Sequence, residues 1–154
     1  MSEESRYETG TRVRREVLGD AHVDRATAAA TAFDAPFQRF ITETAWGTLW
    51  ADDTLDPRTR SLITIAILAA LGRHEELALH LRATTNTGAT PEEVRAALMH
   101  VAVYAGVPAA NSAFAAAKTI LETQGRGQSR GQPPRAKPEG SDPLAPGATH
   151  GDPE

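Results

Sequence analysis

Hydrophobic residues recur at the spacing of one helix face in every segment of the chain before residue 125. No segment combines strict polar and apolar alternation with flanking turn residues, which is the pattern typical of strands. The fold class that this pattern predicts is therefore all-α. We expect a compact bundle of about six to seven helices.

Capping residues and glycines set the expected helix limits. Asp56-Pro57 opens a helix over 58–71 that Gly72 ends, and the capping box Thr90-Pro91-Glu92-Glu93 opens a helix over 92–104 that Gly106 ends. The other predicted helices cover 7–18, 22–32, the stretch from Asp34 through Trp50, the stretch between Gly72 and Asn86, and 108–124.

The helix over 58–71 is apolar nearly all round. Its hydrophobic residues are Leu62, Ile63, Ile65, Ala66, Ile67, Leu68, Ala69, Ala70 and Leu71. A helix of this kind lies in the centre of a bundle or at a subunit interface. We therefore expect the chain to form a homo-oligomer.

A change of composition divides the chain into a helical domain, 1–124, and a C-terminal tail, 125–154. The tail is rich in glycine, proline and charge, has no aromatic residue, and has Leu144 as its one large aliphatic side chain. Such a segment buries too little apolar surface to offset the entropy lost on ordering, so we predict that the tail is disordered.

Charge and composition exclude several classes of function. The formal net charge is −4 and the basic residues are scattered, so we expect no nucleic-acid partner. The chain has no cysteine, which excludes disulfides, thiolate nucleophiles and thiol redox chemistry. The longest apolar run, 62–71, is far shorter than the roughly 20 residues that span a bilayer. The acidic N-terminus does not resemble a signal peptide, so we expect a cytoplasmic protein without a membrane partner.

Three ionisable residues have the spacing of a single helix face. Arg73, Glu76 and His80 align a cation, a carboxylate and an imidazole beside an apolar wall, an arrangement suited to acid/base chemistry. The alternatives are an ordinary surface pair of Glu76 with His80 and a solvated Arg73. His74 and Glu75 do not form a zinc motif with His80, because six residues separate the two histidines, and we predict no metal.

Four long stretches resemble the carboxymuconolactone decarboxylase family, over roughly 7–123 in total. They are VRREVLGDAHVDRA (13–26), TRSL (59–62), LAALGRHEELALH (68–80) and HVAVYAGVPAANSAF (100–114). The family's alkylhydroperoxidase-like branch carries a glutamate, a CxxC motif and a histidine in its central helix pair. Aligned without a gap, these positions hold Ser61, Arg73, Glu76 and His80. The histidine is kept and the dithiol is absent, as in the decarboxylase branch.

The resemblance implies an alkylhydroperoxidase-like helical fold that assembles into trimers or hexamers. It also implies cofactor-free decarboxylation of a dicarboxylate lactone, 4-carboxymuconolactone, to 3-oxoadipate enol-lactone in the protocatechuate branch of the β-ketoadipate pathway. In this scheme His80 donates the proton. Glu76 orients or charges His80, and the guanidinium of Arg73 binds a substrate carboxylate.

Five further residues are weaker candidates for substrate binding. Arg60 and Arg15 are the next choices for contact with a carboxylate. His100 and Tyr104 share a helix face beside the turn at Gly106, with a core histidine and a packed tyrosine as the alternative. Trp46 is a candidate for the pocket floor, with core packing as its alternative.

The rival hypotheses differ in function class. One keeps the fold but changes the substrate to another lactone or enolisable carboxylic acid, since function depends on the site and not on the fold. Another is a non-catalytic helical oligomer that serves as a partner protein. An alkylhydroperoxidase is the weakest hypothesis because the dithiol is absent.

Overall fold

Helices account for all the regular structure in the computed structural model, which describes residues 4–130. The elements are α1 (Arg6–Leu18), α2 (Asp20–Ala29), α3 (Ala35–Ile41), a π-helix (Thr42–Trp50), α4 (Pro57–Ala70), α5 (His74–Thr87), α6 (Pro91–Tyr104) and α7 (Val107–Arg130). The described residues contain no strand, so the all-α prediction is confirmed. Within them, no helix has both the length and the hydropathy needed to cross a membrane.

The predicted caps of the central helices are present. The Asp56 carboxylate accepts a hydrogen bond from the Thr59 amide at 2.6 Å, and Thr90 and Glu93 form the reciprocal capping box. Gly72 has a φ of 66° and ends α4 in a Schellman motif, in which the Arg73 amide donates to the carbonyl of Leu68. These local signals fix the helix pair α4–α5 close to its predicted limits.

Two helix limits differ from prediction. The second helix ends at Ala29 instead of Ala32, because the Asp34 carboxylate accepts hydrogen bonds from the amide and hydroxyl of Thr31 and forms a turn there. The last helix continues to Arg130, past the predicted end near 124, because Gly125 does not adopt the left-handed conformation of a helix-ending glycine. The remainder of the predicted tail, 131–154, lies outside the described residues.

The segment Thr42–Trp50 is a π-helix, whereas the sequence predicted an ordinary helix through Trp50. Threonine hydroxyls within it donate to backbone carbonyls one turn earlier, Thr44 to Phe40 at 2.6 Å and Thr48 to Glu43 at 2.9 Å. Such bonds compete with regular helix hydrogen bonding. Segments of π-helix are frequent at functional sites.

Two glycines allow α1 to cross the π-helix with backbone in contact. A Cβ added to Gly10 would lie 2.1 Å from the carbonyl oxygen of Thr42, and one added to Gly47 would lie 2.1 Å from that of Arg6. Any larger residue would therefore separate the two helices. We call this contact the Gly10–Gly47 crossing.

Two clusters of buried residues stabilise the fold. The larger joins α4 to α7 and consists of Ile65, Ala69, Leu77, Leu81, Val94, Leu98, Val101, Ala110, Ala113 and Ala117. The smaller joins α1, the π-helix and α5 and consists of Val13, Val17, Trp46 and Ala83. The candidate site lies beside the smaller cluster, because α5 contributes Ala83 to that cluster and His80 to the site.

Candidate active site

His80 lies inside the protein and not on a polar stripe at the surface. Its side chain is 9% exposed, and its neighbours on α5, Leu77 and Leu81, are fully buried. The Nδ1 atom is buried without a hydrogen-bond partner. Because buried polar atoms are almost always paired, this nitrogen is available to a ligand.

Two tryptophans of the π-helix stack with the imidazole of His80. The ring of His80 lies 6.3 Å from Trp46 at an interplanar angle of 10°, and 6.0 Å from Trp50 at 19°. The two indoles lie 5.3 Å apart. Trp46 is therefore both a core residue and a wall of the site, so the two interpretations of its role do not exclude each other.

Burial keeps the His80 imidazole neutral near pH 7. Burial, with a smaller contribution from charge repulsion by His22, lowers the pKa of His80 from 6.5 to about 4. A neutral imidazole has one nitrogen that donates and one that accepts a hydrogen bond. In the chain without substrate, His80 is therefore neutral near pH 7 and does not carry the extra proton of an imidazolium.

Arg14 is the second buried ionisable residue on this side of the fold. Its side chain is 9% exposed and its Nε has no hydrogen-bond partner. Its Nη1 is 3.4 Å from Oε1 of Gln38, which is beyond the usual hydrogen-bond length. Burial lowers the pKa of Arg14, yet a guanidinium remains charged in proteins.

His22 connects Arg14 to His80 electrostatically. Burial lowers the pKa of His22, and the charges of Arg14, Arg25 and Arg82 lower it further. His22 in turn acts on His80. Among the described residues, none of these three arginines forms an ion pair. The positive charges therefore act on His22, and they affect His80 only through His22.

The two other members of the predicted stripe lie outside this pocket. Arg73 is the residue that precedes α5, and both Arg73 and Glu76 are exposed. Within the described part of the chain, no hydrogen bond or ring contact joins either of them to His80. Of the three residues predicted to share one helix face, His80 is therefore buried, whereas Arg73 and Glu76 are exposed to solvent.

The next two arginines on the sequence-based list are held by acidic residues. Arg60 is 8% exposed, and its Nη2 donates to the carboxylate of Asp52 at 2.7 Å. Arg15 is half-exposed and donates to Asp20 at 3.0 Å and to Asp24 at 2.7 Å. Both therefore have structural partners in the single chain.

His100 and Tyr104 stack on each other at the surface. Their rings are 5.8 Å apart, and the Tyr104 side chain is 84% exposed. The alternative of a core histidine and a packed tyrosine is wrong, because the apolar residues Leu98 and Val101 take the buried face of α6. Since α6 packs on α4 and α7, the pair belongs to a different surface from His80.

Charge distinguishes three cavities near α1. The largest, about 560 Å³, is lined by Arg12 and Arg15, both of which are paired with acids. A second, about 440 Å³, is lined by Trp50 and by a surplus of acidic residues, Glu16, Asp52, Asp53 and Asp56. The third, about 180 Å³, contains Arg14 and Arg39 and no carboxylate. Only the third, which we call the Arg14 cavity, has the charge that an organic anion requires.

In the described part of the chain, no three His, Asp or Glu side chains lie close enough together to hold a metal ion. The candidate groups on this side of the fold are imidazole, guanidinium and indole groups. Together they can bind an anion, exclude water from it and transfer a proton.

Sequence reasoning did not select Arg14 or His22 as site residues, although a signal for Arg14 was present. Gly10, Val13, Arg14 and Val17 have the i, i+3, i+4, i+7 spacing of a buried helix face. His80 likewise falls between Leu77 and Leu81. Helix periodicity therefore places both Arg14 and His80 inside, and it argues against the alternative of a surface pair between Glu76 and His80.

Comparison with known proteins gives one family. The sequence profile of the carboxymuconolactone decarboxylase family matches residues 35–119. The 4-carboxymuconolactone decarboxylase of Acinetobacter baylyi is 45% identical over 125 residues, which cover 81% of this chain and 93% of that protein. The nitrosuccinic acid decarboxylase npaB of Metarhizium robertsii is 40% identical over 79% of this chain and 86% of that protein. A 4-carboxymuconolactone decarboxylase sequence from Pseudomonas putida is 51% identical over 47 residues, which cover 30% of this chain and 98% of that sequence.

Proposed function

The chain belongs to the carboxymuconolactone decarboxylase family and is a carboxy-lyase, and we propose that it converts 4-carboxymuconolactone to 3-oxoadipate enol-lactone. In this proposal it acts in the protocatechuate branch of the β-ketoadipate pathway. The observation that carries the proposal is the buried imidazole of His80, which stacks on two indoles and has an Nδ1 atom without a hydrogen-bond partner. The similarity to the Acinetobacter baylyi enzyme supports the choice of substrate.

The reaction proceeds by heterolysis of a carbon–carbon bond. The bond between the γ-carbon and its carboxylate breaks, CO2 leaves, and the electron pair moves through the ring alkene to the lactone carbonyl oxygen. The resulting dienolate takes a proton at the carbon α to that carbonyl and becomes the enol-lactone. The enzyme must therefore bind two carboxylates, stabilise an oxyanion and supply one proton.

In our proposal His80 supplies that proton. Without substrate the imidazole of His80 is neutral near pH 7. The negative charge of the bound substrate raises the pKa of His80, because a nearby opposite charge favours the protonated form. His80 then takes up a proton as the substrate binds and gives it to the dienolate. The flat indoles of Trp46 and Trp50 exclude water from the ring that carries the charge.

We propose further that the exposed candidates act where subunits meet. Arg73, Glu76, His100 and Tyr104 all lie on the surface of the single chain. Association of subunits would bury these residues and bring charged groups of one copy near the site of another. In this arrangement Arg73 binds a carboxylate and Glu76 orients the catalytic histidine, while Arg60 and Arg15 support the loop and helix beside the site.

Exposed apolar side chains support the proposal of a trimer or hexamer. On α4, one face is buried through Ile65 and Ala69, whereas Ile63, Ile67 and Leu71 remain 45%, 53% and 63% exposed. A second set of exposed apolar residues consists of Met99, Val103, Tyr104 and Val107. Solvent exposure of this many large apolar residues is typical of surfaces that associate.

A second candidate function has a specific observation in its favour. The relative from Metarhizium robertsii is a nitrosuccinic acid decarboxylase, so a chain 40% identical to this one acts on an open-chain acid instead of a lactone. In both reactions a carboxylate leaves as CO2 and the electron pair is held by a neighbouring sink, a lactone carbonyl or a nitro group. The alternative substrate is therefore another acid whose carbanion is stabilised in this way.

The deciding experiment offers the protein both substrates under one assay. Enzymatically prepared 4-carboxymuconolactone and nitrosuccinate are incubated separately with the full chain, and CO2 release and product formation are followed. We expect turnover of the lactone to exceed that of nitrosuccinate. Turnover of nitrosuccinate alone would favour the second candidate, and turnover of neither by the folded oligomer would overturn both.

A further inference from the structure

The Arg14 cavity is a small recess between α1, α2, α3 and the start of the π-helix. Its lining residues are Tyr7, Arg14, Thr27, Ala30, Ala35, Gln38, Arg39 and Thr42. Its volume of about 180 Å³ is below the range of about 300 to 1,000 Å³ typical of a whole drug-sized ligand. The recess is therefore too small for a drug-sized ligand and suits a small acid or one arm of a larger one.

Arg14 contrasts with the other buried arginine. Arg60 is equally buried, but its guanidinium binds the carboxylate of Asp52 and the carbonyl of Leu55. Arg14 has only the long contact with Gln38, and its Nε has none. A buried charge without a partner is costly, and such charges are normally paired. The fold thus accepts at Arg14 a cost that it avoids at Arg60.

The other groups of the cavity do not compensate this charge. Arg39, the second cation of the lining, donates to Glu43 at 2.9 Å and lies 5.5 Å from the ring of Tyr7. The hydroxyl of Thr42 donates to the carbonyl of Gln38. Arg14 therefore remains the cation of this cavity that no carboxylate among the described residues neutralises.

We propose that Arg14 is a carboxylate-binding residue, whose guanidinium receives one carboxylate of the substrate in the Arg14 cavity. A guanidinium presents two parallel N–H groups to a carboxylate, and burial strengthens those hydrogen bonds. His22 lies between this group and His80 electrostatically. In this proposal the remainder of the ligand extends from Arg14 toward the imidazole.

The inference rests on the proposed function for the identity of the ligand, a small dicarboxylate. It adds the residue that the sequence-based candidates lacked, since Arg15 and Arg60 are both paired with acids. Lactone and open-chain acids alike offer a carboxylate, so the assignment is the same for either candidate substrate.

The test measures binding without turnover. Succinate serves as the probe, and its affinity for the full chain at pH 7 is measured by calorimetry for the wild type, Arg14→Gln and Arg14→Lys. Arg12→Gln is the matched control, because Arg12 is on the same helix but is exposed and paired with Glu4 and Glu16. Loss of a charged hydrogen-bond pair should weaken binding about tenfold or more in Arg14→Gln.

Arg14→Lys keeps the charge but not the two parallel donors, so its affinity should fall between those of the wild type and Arg14→Gln. The Arg12→Gln variant should bind as the wild type does. Proton NMR of His22 gives a second readout: its pKa should rise in Arg14→Gln, because one of the charges that lower it is removed.

Unchanged succinate affinity in folded Arg14→Gln or Arg14→Lys would overturn the inference, as would phosphate binding as tightly as succinate. These outcomes are independent of the reaction. If Arg14→Gln turned over 4-carboxymuconolactone at the wild-type rate and with the wild-type KM, Arg14 would not be a substrate-binding residue, and the proposed function would stand. Succinate binding that depends on Arg14, together with no turnover of 4-carboxymuconolactone, would support Arg14 as a carboxylate-binding residue and reject the proposed function.

Discussion

The imidazole of His80 lies almost parallel to the indole of Trp46, with 10° between the ring planes and 6.3 Å between their centres. This relationship joins α5 to the π-helix and removes His80 from water. The stacking on Trp46 fixes the orientation of the His80 ring, and the burial that accompanies it lowers the pKa of His80 below that of a surface histidine. The catalytic proposal depends on it.

Replacement of His80 by glutamine should reduce kcat by about 10²- to 10⁴-fold, the usual contribution of a positioned acid or base. The fold should persist, because glutamine fits a site that already holds a polar group. His74→Gln, an exposed histidine on the same helix, is the control and should leave kcat unchanged. Near-normal turnover by folded His80→Gln would move the proton donor elsewhere.

Acid should destabilise the protein through His80. The unfolded imidazole, with a pKa near 6.5, binds a proton before the folded one does, with a pKa of about 4. The free energy of unfolding therefore falls as the pH decreases from 6.5 to 4 and is not affected by His80 above that range. The full difference amounts to about 3 kcal/mol.

Urea denaturation of the wild type and His80→Gln between pH 4 and 7.5 measures this effect. The wild type should lose more stability on acidification than the variant. Parallel pH profiles would show that the buried imidazole does not control acid stability.

An alanine at position 47 should separate α1 from the π-helix. The added Cβ would lie 2.1 Å from the backbone oxygen of Arg6, so one of the two helices has to move. We expect a loss of several kcal/mol of stability, at the upper end for a single substitution, measured by thermal or urea denaturation.

Gly125→Ala on α7 is the control, because a Cβ there meets nothing within 4 Å. It should stabilise the helix by about 0.5 to 1 kcal/mol. Equal stability of the two alanine variants would contradict the close contact at the Gly10–Gly47 crossing.

A charge on the exposed face of α4 should disrupt assembly. Ile67→Glu places a carboxylate among exposed apolar residues, and burial of that charge in an interface is unfavourable. Size-exclusion chromatography with light scattering should show a smaller species than the wild type. Arg95→Glu, an exposed change on α6, is the control, and an unchanged mass for Ile67→Glu would place the interface elsewhere.

Local signals were sufficient for most of the fold. Asp56, Thr90 and Glu93 cap their helices as predicted because capping depends on residues within one turn. The π-helix was not predictable in this way. It packs against α1 where Gly10 meets the backbone of Thr42, and these two residues are 32 positions apart in the sequence.

The site was only partly predictable for the same reason. His80 was identified from its motif, but its neighbours were assigned along α5, where Glu76 is one turn away. The structure supplies different neighbours from α2 and the π-helix, namely His22 and the two tryptophans. Residues that meet only after folding leave no spacing pattern in the chain.

The Gly10–Gly47 crossing divides the molecule in a way that bears on how new substrate preferences arise. In our proposal His80 on α5 transfers the proton, and the family profile covers this helix, whereas α1 lies before the segment that the profile matches and carries Arg14. One pair of glycines holds α1, which we propose to recognise the acid, against the π-helix whose tryptophans stack on His80. An exchange of α1 that preserves this joint would therefore alter which acids are admitted without rebuilding the machinery that protonates them.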